Sequence, residues 1–200
     1  MNTPAHVIFG LSLLGHTNAI RYSMAIAVGA ILPDVLMMVF YAYQKFQGVP
    51  EEVIWNEKYF LVSWQNSFDL MNSIPLLAAL ALISGLTKNY SLSMLFASTV
   101  IHCLLDLPVH HDDGHRHFFP LSDFRFESPL SYWDPNHYGN IVSMMEVILV
   151  MLGGVYLWRA EQGILRRVTS LSRLRVVVLV MLIIYGLFFL FVVRTWLAAK

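Results

Sequence analysis

The stretch "IHCLLDLPVHHDDGHRHFF", residues 101–119, changes character halfway along. It opens as an apolar helix, meets Pro108, and turns into a loop of histidine and aspartate. Five of the eight histidines, at 102, 110, 111, 115 and 117, fall within it. A proline that cannot continue a helix marks the boundary. Such a join suits a helix that lies in lipid and delivers metal-ligand chemistry to the membrane edge.

Composition agrees with that reading. The chain has 200 residues, 57% of them hydrophobic and only 13% charged, about half the charge of an ordinary soluble domain. So few charges cannot cover a globule of this size, so lipid is the expected solvent for part of it. The formal net charge is zero, so charge balance implies neither nucleic acid nor an acidic partner. The single cysteine, Cys103, forbids an internal disulfide. The start "MNTPAHVIFGLSLLGHTNAI" lacks a positive leading region and carries a histidine in its apolar run, so a retained structural helix is expected there.

Six helical segments are expected: roughly Pro4 to His16, Ala19 to Tyr43 with Pro33 interrupting it, Asn72 to Leu86, Ser91 to Leu107, Ile141 to Trp158, and Leu174 to Ala199. The fold class is all-α: one integral-membrane bundle of about five to six helices over residues 1–200, with a long His-, Asp- and aromatic-rich loop. Two polar connections stand out, about 44–71 and about 108–140. The second is longer than most loops of compact domains, and loops of that length are usually functional or disordered. Its aromatic content argues against disorder. Arg159, Arg166, Arg167, Arg173 and Arg175 sit against one acid, Glu161, between the last two helices. The positive-inside rule places that connection in the cytoplasm of an inner (plasma) membrane. Alternation then puts Arg21 and Lys88 on the same side and both long loops outside, provided the short first helix also crosses.

Ionisable groups inside apolar segments are costly and tend to be functional. Here they are His6, Asp34, His102, Asp106 and Glu146. Spacing i, i+4 puts His102 and Asp106 on one helical face, where an imidazole and a carboxylate form half a metal site. His110 or His111 can fold back after Pro108, and His137 precedes the helix that carries Glu146. Each has a plainer reading. His6 can be a satisfied core histidine, His102 and Asp106 a structural pair, and Asp34 a cap after Pro33. Glu146 can pair with Arg116 or Arg125, and some loop histidines can simply be solvated. His16 reads as structural. A histidine and carboxylate shell suits zinc, manganese or iron. No G-x-S-x-G elbow, H-E-x-x-H, C-x-x-C or phosphate-cradling glycine loop is present.

At these residues the chain resembles the YdjM-type inner-membrane proteins, described as metal-dependent hydrolases. The resembling stretches are "TPAHVIFG" (3–10), "GAILPDVLM" (29–37), "STVIHCLLDLPVHHDDGHRHFFPLSDFRF" (98–126) and "ESPLSYWDP" (127–135). That group is in turn reminiscent of helical zinc phospholipase C enzymes. The resemblance implies His6, Asp34, His102, Asp106 and one of His110 or His111 as ligands, with His137 and Glu146 as an extension. One departure matters. The family's "HR…THS" before the third helix is replaced by "NSFDLMNSIP", with Asn72 where a histidine is expected and Asp69 nearby. That leaves open whether a metal is lost or Asp69 stands in.

The expected function is a membrane-bound metal-dependent hydrolase using a divalent metal, zinc first, to activate water and polarise a phosphoryl or acyl oxygen. Asp34 or Asp106 is the candidate general base. The expected partners are the lipid bilayer and a lipid-like substrate, with Arg116 and Arg125 as candidate phosphate holders. Two other readings compete. A non-catalytic metal-binding or assembly protein is favoured by Asn72. A small transporter with a relay carboxylate explains Asp34 and Glu146 but not the histidines.

Overall fold

The computed structural model describes residues 1–15, 20–164, 176, 178–187, 190 and 194. The described residues contain helices and turns and no strand. The helices are α1 (Thr3–Leu14), α2 (Ser23–Phe46), a single turn α3 (Glu51–Val53) running into a π-helical turn at Ile54–Lys58, α4 (Val62–Met71), α5 (Ile74–Leu86), α6 (Tyr90–Asp106), α7 (Gly139–Ile164) and α8 (Val178–Leu187). Among the described residues, four stretches are long and apolar enough to cross a membrane: Ser23–Phe46, Val62–Leu86, Tyr90–Val109 and Gly139–Arg159. The chain is a multi-pass helical protein.

Two expectations need correcting. The bundle has more helical pieces than about five to six, because α4 occupies the supposed polar connection 44–71. Its sequence "VSWQNSFDLM" hides a helix because the inward face is itself polar: Gln65, Phe68, Asp69 and Asn72 are buried at i, i+3, i+4 and i+7. Pro33 also fails to interrupt α2, which runs through it. Proline leaves the carbonyl four residues back without its N–H. That carbonyl, of Gly29, instead receives Thr99 Oγ1 of α6 at 2.9 Å. The freed backbone group is satisfied from a neighbouring helix, as membrane helices require.

This exchange needs α2 and α6 in close contact. Ser98 Oγ donates to the Ile26 carbonyl at 2.7 Å. A Cβ on Gly29 would lie 2.1 Å from the Leu95 carbonyl oxygen, so only glycine fits at the crossing, the small-residue packing typical of lipid-embedded helices. α1 is apolar on all sides and accordingly buried: Ala5, Val7, Ile8 and Leu11 pack with Ile26, Ala27 and Ala30 of α2, Val150 and Leu157 of α7, and Val178 and Tyr185 of α8. A second cluster, Phe40, Ile54, Tyr59 and Phe68, ties α4 and the π-turn to the far end of α2. α5 and α6 form a hairpin, capped at α6 by Asn89, whose side chain accepts from Leu92 N–H.

His16, Arg166, Arg167, Arg173 and Arg175 lie outside the described residues, as does the side chain of Glu161.

Candidate metal centre

Two helices meet at one buried polar point. α1 brings His6, and α6 brings His102 and Asp106 on one face; all three are buried. One donor atom from each lies within 4.8 Å of the others. His6 Nε2 is 3.0 Å from Asp106 Oδ1, and His102 Nε2 is 3.1 Å from Asp106 Oδ2. The two imidazole rings stack, with centroids 3.7 Å apart.

The local backbone fixes the chemistry of His102. Its Nδ1 lies 2.8 Å from the Ala30 carbonyl, one residue beyond the carbonyl that Pro33 leaves free. A carbonyl only accepts, so Nδ1 carries the hydrogen, and Nε2 is the nitrogen left facing the cluster, where it would offer its lone pair to a bound cation. His6 is the odd member. It is only 1% exposed, yet among the described residues neither of its ring nitrogens completes a hydrogen bond. Buried polar atoms without partners are rare because desolvation is left uncompensated. A cation held by His6, His102 and Asp106 would satisfy it, and two imidazole nitrogens with a carboxylate oxygen are a donor set suited to a divalent metal. The amino group of Met1 lies 2.5 Å from Asp106 Oδ1 and 3.2 Å from His110 Nε2, so this carboxylate already attracts positive charge.

The other sequence-derived candidates fall into separate places. Asp34, on α2, lies with Oδ1 3.7 Å from His102 Nε2, while its Oδ2 accepts from Thr3 Oγ1 at 2.5 Å. His110 bridges Asp106, at 3.3 Å, and Asp113, at 3.1 Å. Burial opposes charge on this ring, but the Asp106 and Asp113 carboxylates outweigh it and raise its pKa to about 9. His111 and His137 pair with each other instead, their rings stacked at 3.6 Å. His111 Nδ1 faces the Ser128 carbonyl at 2.6 Å, and His137 Nδ1 faces Asp134 Oδ2 at 2.7 Å. Glu146 Oε1 is held by Asn2 Nδ2 at 2.7 Å and by the Tyr185 hydroxyl at 3.0 Å. Arg116 is engaged by Asp69, Asp123 and Asn66, and Arg125 donates to Gln65 at 2.9 Å.

A cavity of about 550 Å³ opens against the cluster, with Asp34, Asp106, His110, Asp113, His115 and Trp133 among its lining. No lysine or arginine lines it. Sequence reasoning missed the polar residues that hold the carboxylates: Thr3 on Asp34, and Asn2 on Glu146. Sequence gives no signal for either, since both side chains donate to carboxylates on other helices instead of capping α1.

A second polar group lies beside the first. Asp69 is fully buried and takes Arg116 Nε at 2.5 Å and Arg116 N–H at 3.0 Å, with His115 Nδ1 at 3.6 Å. His117 is not solvated: it is buried, with Nδ1 3.2 Å from the Asn72 carbonyl. Burial pushes its pKa down to about 4. Below pH 6.5 the unfolded chain therefore takes up a proton that the folded chain refuses, so stability falls as pH drops from about 6.5 to about 4. The loss attributable to this ring approaches about 3 kcal/mol, at about 1.4 kcal/mol per unit. Thermal melts in detergent across this window should show that slope flattened in His117→Asn; an unchanged slope would assign the acid sensitivity elsewhere.

Comparison with family models, curated proteins and solved structures finds no match to the chain. What the residues themselves establish is a multi-pass helical protein with a buried His/His/Asp cluster able to hold a metal ion.

Proposed function

We propose that this chain is a membrane-bound metal-dependent hydrolase of the YdjM type, acting on a phosphoester or other lipid-phase substrate. Its pocket opens at the outer face of the inner membrane. The observation that carries the reading is His6, buried without a hydrogen bond against His102 and Asp106, beside a cavity large enough for a substrate head. A zinc ion bound there would lower the pKa of water and polarise the scissile phosphoryl or acyl group.

The chain's own residues supply the rest. The Ala30 carbonyl orients His102 and holds it in one tautomer. Asp106 is committed, touched by His6, His102, His110 and the amino group of Met1, so it serves as ligand. Asp34 is better placed as general base. Thr3 fixes one of its oxygens, and it lines the cavity. The outward orientation follows from the arginine-rich connection between α7 and α8, with Lys88 on the same side.

The test is turnover by full-length protein in maltoside micelles, loaded with zinc, manganese or iron, on phospholipid and on polyprenyl phosphate. Phosphate or diglyceride release that drops by a factor of about 100 or more in Asp34→Asn, with metal content retained, supports the hydrolase. Metal-loaded protein that releases nothing from any substrate would favour a metal-binding or assembly role instead.

A further inference from the structure

The loop from Phe118 to Phe126 displays large apolar side chains that no described residue covers. Phe118 is 45% exposed, Leu121 78%, Phe124 59% and Phe126 39%. They are not loosely hung. Ile74 N–H donates to the His117 carbonyl at 2.9 Å, and the Ser73 hydroxyl donates to the Phe119 carbonyl. Leu121 and Ser122 N–H both return to the Phe118 carbonyl, at 2.9 and 3.1 Å. Phe124 N–H is taken by Ser122 Oγ at 3.1 Å. The Arg116 guanidinium lies over the Phe119 ring at 4.7 Å and pairs with Asp123 at 2.7 Å. The loop therefore holds these side chains outward.

Its depth follows from helix length. The loop is fastened to the first residue of α5, and α5 runs for 13 residues to Leu86 before Lys88 marks the opposite water boundary. Thirteen residues rise only about 20 Å, against roughly 30 Å of hydrocarbon in a bilayer. A loop tied to Ile74 thus lies about 10 Å short of the far interface. Irregular backbone is tolerated at such depth where protein satisfies its polar groups, and the bonds above satisfy the Phe118 and Phe119 carbonyls and the Leu121, Ser122 and Phe124 N–H groups.

We propose that Phe118–Phe126 is a re-entrant anchor whose Phe118, Leu121, Phe124 and Phe126 side chains sit among lipid acyl chains of the leaflet that the cavity faces. Asp123 is neutralised by Arg116 and Arg125 is tied to Gln65 of α4. The occupant of the patch is lipid, because the loop is fastened to the end of α5, a helix that itself exposes Leu80, Leu82 and Ile83. This goes beyond the hydrolase reading and rests on the multi-pass architecture alone, so it survives or fails independently of any metal.

The experiment uses full-length protein in liposomes, with Leu121→Cys and Phe124→Cys each labelled by an environment-sensitive fluorophore. Cys103 is fully buried and stays unlabelled. Glu52→Cys, at an exposed site in the other connection, is the aqueous control. Quenching of both loop labels by a lipid spin-labelled near the head of its acyl chain should exceed quenching by aqueous iodide by about threefold or more, with the reverse order at Glu52→Cys. Loop labels that respond to iodide as Glu52→Cys does would overturn the anchor. Labels reached by neither quencher would overturn it too, in favour of a second protein copy covering the patch.

Discussion

Purified wild-type protein is expected to carry zinc, manganese or iron near one equivalent, and His102→Ala/Asp106→Ala is expected to carry none. Plasma mass spectrometry of detergent-purified protein reads the difference directly. The effect should be close to complete because the two substitutions remove two of the three clustered donors. They also leave His6 as the single remaining donor of the cluster. The single substitution Ala30→Pro would not be informative, since it breaks α2 outright. His102→Gln is, because its amide can still donate to the Ala30 carbonyl while supplying no imidazole lone pair. It should fold and lose metal. If reloading leaves wild type and variants alike without metal, the cluster is a buried structural network and the hydrolase reading goes with it.

Asp69→Ala should be the most destabilising single change outside the metal cluster. Asp69 is wholly buried, and Arg116 reaches it through both side chain and backbone N–H. Removing one partner of a buried pair costs about 3 to 5 kcal/mol, because the remaining charge is stranded. Arg116 keeps Asp123 and some water access, with a side chain 17% exposed, so the lower end, about 3 kcal/mol, is expected. Since Arg116 also fastens the loop over α4, the variant should expose 115–123 to proteolysis before it unfolds globally. A melting midpoint within a degree or two of wild type would show that the pair contributes little.

Much of this architecture was legible because lipid-facing helices write themselves as apolar runs. The segments at Asn72–Leu86, Ser91–Leu107 and Ile141–Trp158 are recovered within a few residues as α5, α6 and the greater part of α7. α4 was not legible by hydropathy, because its buried stripe is Gln65, Asp69 and Asn72, and only Phe68 looks like core. Pro33 read as a break because sequence shows the missing N–H but not Thr99, 66 positions on, which replaces it. At the centre, the i, i+4 spacing of His102 and Asp106 placed both on one face, and the structure adds His6 beside them. The loop histidines were beyond reach of spacing. His110 turns inward toward Asp106 and Asp113, while its neighbour His111 turns away to stack on His137. Which of two adjacent residues points inward depends on backbone pairing such as Ser128 N–H to the His110 carbonyl, at 3.1 Å.

Ser98, Thr99, His102 and Asp106 occupy a single stripe of α6. The first two grip the backbone of α2, the third grips it and faces the cluster, and the fourth completes the cluster. Metal affinity and helix association are therefore thermodynamically linked. Whatever tightens the α2–α6 seam pre-orients the donors, and by reciprocity a bound cation must strengthen the seam to the same degree. Chelation should thus act as a mild denaturant of this one helix pair, measurable as faster amide exchange along residues 26–34 and 95–106 while the α8 side of the bundle stays protected. A proline that looks like damage in α2 becomes the hinge of that coupling, since the carbonyl it frees is what draws α6 into register.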